Sequence, residues 1–157
     1  MFALIRGLTY AALFISFVLV FLPAQVLIRS GVAAPREIGP AQAIGVAAVI
    51  LGLSLSIWCV LAFGIFGRGT PAPFDPPRRL VVRGPYRYVR NPMYVGAIVA
   101  LTGASLFYGS LALAAFTMLF AAIVHLFVVF YEEPTLTRLF GAEYTEYRRQ
   151  VRRWRPI

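Results

Sequence analysis

Two short stretches carry charged and aromatic side chains in a sequence that is otherwise largely apolar. Residues 83–96 contain three arginines, three tyrosines and Asn91 at the start of a long apolar run. Glu132 and Glu133 stand together at the end of that run. Carboxylates, guanidinium groups and aromatic faces in one place suit a ligand that bears both charges and a cationic centre. We therefore predict that the two stretches form opposite walls of one binding site.

The acid pair is also an electrostatic anomaly. The sequence predicts that a helix ends at Glu132, Glu133 and Pro134, so both carboxylates would face the negative end of a helix macrodipole, where cations are preferred. A positive partner is therefore expected beside them. It is either a bound cation or an arginine of the tail such as Arg138, in which case the acids only mark the membrane boundary.

His125 is the one histidine of the chain and lies within the same apolar run. It precedes Glu132 by seven residues, which places the two on one helix face, roughly 10 Å apart along the axis. At that depth a polar side chain is expected to point into a helix bundle, where it bonds another helix or takes part in chemistry. Because no second histidine or cysteine lies close by, we expect no metal site.

The composition is typical of an integral membrane protein. Of the 157 residues, 60% are hydrophobic and 13% are charged, whereas about 25% are charged in an average soluble domain. The net charge of +9 rests on fifteen arginines. Because these flank apolar segments, we assign them to orientation in the membrane and expect no nucleic-acid partner. The length suits a single membrane domain, residues 1–157.

The elements that position the two stretches are predicted to be helices, in an all-α fold. A helix of about 20 apolar residues crosses the bilayer core. The uncharged runs therefore predict about four transmembrane helices, at about residues 4–28, 41–66, 92–107 and 110–132. The third and fourth form a C-terminal helical hairpin, broken near residues 107–110, that returns the acid pair to the side of residues 83–96.

The segments between and within these helices carry further signals. The connection at residues 67–91 is rich in proline and arginine, which excludes a regular helix. Asn91 and Pro92 are expected to begin the third helix, as its N-cap and its first residue. The tail at residues 133–157 is predicted to hold an amphipathic helix. Small residues of the second helix suit close helix packing: Gly45, Gly52, Ser54 and Ser56.

The arginines predict an orientation. Thirteen of the fifteen fall on one side of a four-helix topology, and Arg29 and Arg36 fall on the other. The positive-inside rule places the richer side in the cytoplasm. We therefore predict a multi-pass membrane protein with both termini cytoplasmic, in the inner membrane if the source is bacterial.

Residues 67–156 resemble the isoprenylcysteine carboxyl methyltransferases and the related membrane phospholipid methyltransferases. Three motifs in the right order and spacing carry the resemblance. They are Gly-Pro-Tyr-Arg-Tyr-Val-Arg-Asn-Pro-Met-Tyr-Val-Gly at residues 84–96, Glu-Glu-Pro at residues 132–134 and Phe-Gly-Ala-Glu-Tyr-Thr-Glu-Tyr at residues 140–147. The first two predicted helices contribute nothing to the resemblance beyond their apolar composition.

The resemblance implies a pocket for S-adenosylmethionine at the cytoplasmic face, closed by the tail, with a lipophilic acceptor entering sideways from the membrane lipids. The residues that it matches to the cofactor are Arg78, Arg79, Leu80, Val81 and Tyr86 in the connection and Asn91, Pro92, Met93 and Tyr94 at the helix mouth. It further implies that Glu132 holds a polar group of the cofactor. Glu133 and Arg138 would position substrate or cofactor for catalysis, and no metal is implied.

Two positions depart from the pattern of the carboxyl methyltransferases. Asn91 stands where they usually have histidine, and Val151-Arg152 stands where they usually have Val-Pro. The first change keeps a hydrogen-bonding side chain but loses a titratable one, and the second bears on how the tail docks. Both departures bear on the identity of the substrate more than on the identity of the cofactor.

The chemistry agrees with these residues. Methyl transfer from a sulfonium is an in-line displacement that needs positioning and shaped electrostatics rather than a protein nucleophile. An ionised carboxylate acceptor needs no base, whereas an amine must lose a proton, for which Glu132, Glu133 or a water would serve. We predict an S-adenosylmethionine-dependent integral membrane methyltransferase, by carboxyl O-methylation first and by phospholipid N-methylation second. The remaining alternatives are a non-catalytic membrane subunit, a small transporter and a membrane reductase that binds NADPH.

Overall fold

The computed structural model describes residue 9 and residues 12–13, 15–67 and 79–156. Its helices, in chain order, are α1 (Leu22–Arg29), α2 (Pro40–Ala62), α3 (Pro92–Tyr108), α4 (Leu111–Phe127) and α5 (Glu133–Gln150). Wider π-helical turns precede α1 at Phe17–Phe21, extend α2 at Phe63–Gly67 and join α4 to α5 at Val128–Glu132. Within the described ranges the chain forms no strand, so the all-helical fold is confirmed for this part of it.

Among the described residues, two helical runs are long and apolar enough to cross a membrane. They are Pro40–Ala62, with 23 residues, and the continuous run Leu111–Gln150, with 40 residues. Phe17–Arg29 and Pro92–Tyr108 are apolar helices of shorter length. Large apolar side chains such as Leu111, Met118 and Phe130 are exposed on the outer surface, as expected of residues that face lipid. The count of four crossings stays a prediction.

The ends of α3 and α4 follow from local chemistry. Pro92 occupies the first turn of α3, where its missing N–H costs no hydrogen bond. Gly109 ends α3 in the left-handed conformation, at φ 58°, which glycine adopts without strain. Ser110 then caps α4, because its hydroxyl accepts a 3.2 Å hydrogen bond from the Leu113 N–H. The predicted break near residues 107–110 therefore falls at Gly109 and Ser110.

Helices α2 and α3 pack through glycines at which the two backbones touch. A Cβ placed on Gly45 would lie 2.7 Å from the Gly103 oxygen, and a Cβ placed on Gly96 would lie 2.7 Å from the Gly52 oxygen. These distances are far below van der Waals contact, so the crossings admit no larger side chain. The predicted role of Gly45 and Gly52 in close helix packing is confirmed.

The two serines of α2 differ in their surroundings. Ser56 is buried, and its hydroxyl donates to the Gly52 oxygen at 2.9 Å and lies 3.4 Å from the Met93 oxygen on α3. Ser54 is exposed. The packing prediction therefore holds for Ser56 and is wrong for Ser54.

The helix that carries the acid pair does not end there, contrary to the prediction. Backbone angles stay helical through Glu132 and Glu133, and α5 continues to Gln150. Pro134 is tolerated because the π-helical turn before it already departs from the regular hydrogen-bond pattern that a proline would break. The sharp break comes later, at Gly141, with φ 52° and ψ −119°. The acids are thus not at a helix C-terminus, and the arginines that balance Glu133 come from the connection and the tail.

Some predicted features lie outside the described residues. The predicted first helix, at residues 4–28, includes positions 4–8, 10, 11 and 14, which are not described. The same holds for residues 68–78 of the predicted connection, Arg78 among them. The remainder of the connection, residues 79–91, contains one turn of 3-10 helix at Gly84–Arg87.

Candidate functional site

Tyr94 and Glu132 join the two polar stretches. Tyr94 lies in the first turn of α3, and Glu132 is the last residue of the π-helical turn after α4. The Tyr94 hydroxyl donates a hydrogen bond of 3.1 Å to Glu132 Oε2. Both side chains are half-buried. The π-helical turn inserts an extra residue, which shifts the register of the side chains that follow and is a feature often found at functional sites.

Glu133 is the most heavily paired side chain near this contact, and it is only 5% exposed. Arg153 binds it with two hydrogen bonds, from Nε to Oε1 at 2.7 Å and from Nη2 to Oε2 at 2.9 Å. Arg90 Nη1 lies 2.9 Å from Oε1, and Arg148 Nη2 lies 3.7 Å from Oε2. Both carboxylate oxygens are therefore occupied by the protein's own cations.

Electrostatics keep Glu133 ionised. It begins the polar helix α5, after the apolar part of the helical run. Burial by itself raises the pKa of the Glu133 carboxyl, but the hydrogen bond from Arg153 and the charges of Arg90, Arg153 and Arg148 outweigh burial and lower the pKa below its ordinary value. The same contact raises the pKa of Arg153. The sequence leaves open whether the acid pair faces a bound cation or arginines of the chain. For Glu133 the partners are arginines.

Arg138 is not among those arginines. It is exposed, and its Nη2 donates to Thr135 Oγ1 at 3.3 Å, within the same helix. The structure brings neither Glu132 nor Glu133 into contact with it in the described part of the chain. The prediction that Arg138 pairs with the acids is therefore wrong. The tail arginines that pair with an acid are Arg148 and Arg153, and both bind Glu133.

Asn91 occupies the N-cap position of α3, but its side chain makes no capping hydrogen bond. Its Nδ2 donates instead to the Arg153 carbonyl oxygen at 3.2 Å, and the residue is 7% exposed. The predicted position is right, and the predicted use of the side chain is wrong. Because the amide reaches the C-terminal segment, Asn91 ties the mouth of α3 to residues that lie far along the chain.

Four of the other predicted cofactor residues lie in two apolar clusters. Val81, Tyr86 and Met93 pack with Cys59 and Ala62 of α2. Leu80 instead packs against the cluster formed by Tyr144, Tyr147 and Val151. Pro92 is buried at the start of α3, whereas Arg79 is exposed. Arg78 lies outside the described residues.

Tyr86 connects the two clusters. Its ring meets Phe63 edge to face, with centroids 5.0 Å apart, and its backbone oxygen accepts a 2.6 Å hydrogen bond from the Tyr147 hydroxyl. Burial raises the pKa of the Tyr86 phenol well above its ordinary value, so the ring stays neutral. The tail helix is thereby fixed to the connection on the side where the predicted site lies.

His125 does not point into the bundle as the sequence predicts. It is exposed, and its Nδ1 accepts a 3.1 Å hydrogen bond from Trp154 Nε1 of the C-terminal segment. The rings lie 5.9 Å apart. In the part of the chain that the structure describes, no group of three or more histidine, cysteine or acidic side chains gathers as a metal site would require.

The residue that sequence reasoning missed is Arg153. The helical spacing of Tyr144, Tyr147 and Val151 predicts that the tail packs against something, and they do form a buried cluster. No pattern in the sequence separates Arg153 from the other tail arginines, because its partners Glu133 and Asn91 come from distant elements. Its importance is visible only once the chain is folded.

An open groove of about 910 Å³ lies between the connection and α5. Leu80, Val82 and Val151 contribute apolar surface to it. Its charged lining residues are Arg83 and Arg87 on the connection and Glu143 and Glu146 on α5. Of the predicted site residues, Leu80 lines this groove, while Tyr94 and Glu132 do not.

Comparison with known proteins agrees with the motifs. The phospholipid methyltransferase family model matches residues 40–143. Phosphatidylethanolamine N-methyltransferase B of Dictyostelium discoideum is 32% identical over 115 residues, which cover 68% of this chain and 53% of the relative. The chain thus spans about half the length of that curated relative. No solved structure matches it. Since the family match covers most of the chain, from α2 into α5, the protein belongs to the phospholipid methyltransferase family.

Proposed function

We propose that this protein is an integral membrane methyltransferase that moves a methyl group from S-adenosylmethionine to the amine of a phospholipid headgroup. The observation that carries the proposal is the Tyr94 to Glu132 contact, which unites the two polar stretches in a chain of this family. Phospholipid N-methylation, the second alternative from the sequence, now stands first, because the relative is named for phosphatidylethanolamine. Carboxyl O-methylation becomes the alternative.

The side chains around this contact fit the cofactor's charges. Glu132 Oε2 is bonded to Tyr94, and its Oε1 has no hydrogen-bond partner among the described residues, so it can face a cation. Arg90 Nε is buried and lacks a hydrogen-bond partner in the same part of the chain, which suits an anionic group nearby. S-adenosylmethionine, when bound, supplies an activated methyl group on a positively charged sulfur. Glu132 and the Tyr94 ring would hold such a cation.

The residues named as cofactor contacts keep that assignment as part of the proposal. They are Arg78, Arg79, Leu80, Val81, Tyr86, Asn91, Pro92, Met93, Tyr94 and Glu132. Glu133 changes its role: with both oxygens held by arginines, it supports the site rather than contacting substrate. Arg138, exposed and turned to its own helix, no longer stands as a catalytic candidate.

An amine acceptor places one demand on the chain that a carboxylate does not. A phospholipid ammonium group must lose a proton before its nitrogen lone pair is free to attack. Glu132 is the carboxylate available for this step, directly or through a water, because Glu133 is already saturated. Arg83 and Arg87, which line the groove, would hold the headgroup phosphate.

The proposal includes a topology. Four membrane crossings, with both termini in the cytoplasm, would place residues 79–91 and α5 on the side that holds soluble S-adenosylmethionine. Thirteen arginines on that side against two on the other support this arrangement. The acceptor would then arrive from the surrounding membrane lipids. No nucleic acid and no metal take part in the proposal.

Calorimetry on the purified protein in nanodiscs tests the cofactor assignment and separates the classes of function. We expect S-adenosylmethionine and S-adenosylhomocysteine to bind and NADPH not to bind. Glu132→Gln should lower the affinity for S-adenosylmethionine. Binding of NADPH alone would indicate a reductase instead. If none of the three binds, the protein is a non-catalytic subunit or a transporter and the proposed function fails.

A further inference from the structure

Arg153 is the point at which the C-terminal segment meets both polar stretches. Its guanidinium forms the two hydrogen bonds to Glu133, at 2.7 and 2.9 Å, and its carbonyl oxygen accepts the bond from Asn91 at 3.2 Å. Arg153 therefore binds the start of α5 through its side chain and the start of α3 through its backbone oxygen. It lies beyond the residues that the family model matches.

The neighbours of Arg153 reinforce this arrangement. The Arg90 N–H donates to the Arg152 oxygen at 2.9 Å, and Val89 and Arg152 form a parallel bridge. On the other side, Trp154 donates to His125 at the end of α4. Three consecutive residues thus fasten the segment to the connection, to α3 and to α4. Such a set of contacts defines the position of the segment instead of leaving it loosely attached.

The anchored residues are directly joined to the Tyr94 and Glu132 pair. Asn91 precedes Tyr94 by one helical turn, and Glu133 follows Glu132 in the chain. A displacement of either anchor moves one member of the 3.1 Å contact relative to the other. Arg153 also supplies part of the positive charge that balances Glu133, the carboxylate next to Glu132, together with Arg90 and Arg148.

We propose that Arg153 is a positioning residue, which sets the separation and charge of the Tyr94 and Glu132 pair by holding Asn91 and Glu133. The proposal rests on the proposed function of that pair, and it assigns Arg153 no contact with substrate or cofactor. A bidentate guanidinium is needed for this role, because an ammonium group cannot satisfy both carboxylate oxygens in the same fixed geometry.

Enzyme kinetics with a matched control tests the positioning role. The variants are Arg153→Gln, Arg153→Lys and Arg155→Gln, the last removing an exposed arginine of the same segment. We expect Arg153→Gln to raise KM for S-adenosylmethionine by about 10-fold to 100-fold with KM for the lipid unchanged, since small misplacements at a site have effects of this size. In Arg153→Lys, KM for S-adenosylmethionine should lie between the values of the wild type and of Arg153→Gln. Arg155→Gln should have the wild-type KM.

Two kinetic results would overturn the proposal. One is a fall in kcat with both KM values unchanged in Arg153→Gln, which is what simple loss of folded protein produces. The other is a wild-type KM for S-adenosylmethionine in Arg153→Lys, which would show that the paired hydrogen bonds are not required. The lysine variant keeps the charge and so decides the question even if the glutamine variant fails to fold.

Tryptophan emission gives a readout that does not need activity. Trp58 and Trp154 are the two tryptophans, so a Trp58→Phe background leaves Trp154 alone to report on the C-terminal segment. We expect Arg153→Gln to shift the Trp154 emission to longer wavelength and Arg155→Gln to leave that emission unchanged. Identical emission in the two variants would refute the anchoring by Arg153. Should the wild type transfer no methyl group, the proposed function fails, while this measurement still decides whether Arg153 holds the segment.

Discussion

The Tyr94 hydroxyl lies 3.1 Å from Glu132 Oε2, although 38 positions separate the two residues in the chain. The α3 and α4 hairpin makes this possible by returning the chain to the same end of the helices. The contact brings an aromatic face and a carboxylate together at a half-buried site. Those are the two groups that attract a sulfonium, so the first prediction concerns their removal.

Glu132→Gln should weaken S-adenosylmethionine binding by about 10-fold to 100-fold, because an interaction with a charged group contributes roughly 1.5–3 kcal/mol. Tyr94→Phe, which keeps the ring but loses the hydroxyl, should have a smaller effect. Calorimetry in nanodiscs measures both. The control is Glu37→Gln, which removes an exposed carboxylate far along the chain. Equal affinity in Glu132→Gln and Glu37→Gln would remove Glu132 from the cofactor site.

Arg87→Gln tests the groove as the place of the headgroup phosphate. The exposed Arg87 side chain lines the groove and holds no ion pair among the described residues. We expect KM for the lipid to rise several-fold with KM for S-adenosylmethionine unchanged. Arg36→Gln, on the side predicted to be extracytoplasmic, is the matched control. If the two variants behave alike, the phosphate binds elsewhere.

Gly52→Leu should destabilise the bundle, because its side chain has to enter the crossing of α2 with α3. Overpacking of this kind typically costs about 1–3 kcal/mol, and the apparent Tm in detergent should fall accordingly. Ser54→Leu offers a comparison two residues away on the exposed face of the same helix. A Tm that drops equally in both variants would argue against the glycine contact.

Acid should loosen the C-terminal segment through Glu133. Because the pKa of this carboxyl is lower in the folded protein than its ordinary value of 4.5, its stabilising contribution is complete above pH 4.5 and is lost as the pH falls through the folded pKa. We expect the apparent Tm of the wild type to fall below that pH. In Glu133→Gln, this part of the acid dependence should be absent and the Tm at neutral pH should already be lower. An unchanged acid dependence in the variant would exclude Glu133 as its source.

The topology can be checked with reporter fusions. With both termini cytoplasmic, a C-terminal fusion should be active for a cytoplasmic reporter and silent for an extracytoplasmic one. A fusion after Arg36 should behave in the opposite way. An extracytoplasmic signal from the C-terminal fusion would contradict the four-crossing arrangement.

The sequence predicts those parts of the structure that depend on local chemistry. Pro92 begins α3 because proline suits the first helical turn, and Gly109 ends it because glycine adopts the left-handed conformation. Gly45 and Gly52 mark a close helix crossing, because a residue without a side chain lets two backbones touch. The sequence also predicts that the two polar stretches meet, because a helical hairpin returns the chain to the end at which it began, and the Tyr94 to Glu132 contact confirms this.

Other features depend on tertiary contacts and could not be predicted. Pro134 indicates a helix end, yet the π-helical turn at Val128–Glu132 lets the helix continue. Asn91 is a good capping residue, but the Arg153 carbonyl competes successfully for its side chain. The sequence predicts His125 inside the bundle, and Trp154 gives it a partner on the surface instead. In each case a partner distant in sequence overrides the local preference.

The most direct test of the proposed function is methyl transfer itself. Purified protein in nanodiscs that contain phosphatidylethanolamine is supplied with S-adenosylmethionine labelled in its methyl group, and the labelled lipid is treated with mild base. We predict that the label appears on the headgroup nitrogen and resists base, and that Glu132→Gln incorporates much less of it. Label that base releases as methanol would reveal a carboxyl methyl ester, and absence of label from every lipid would refute the enzyme; either result would contradict phospholipid N-methylation.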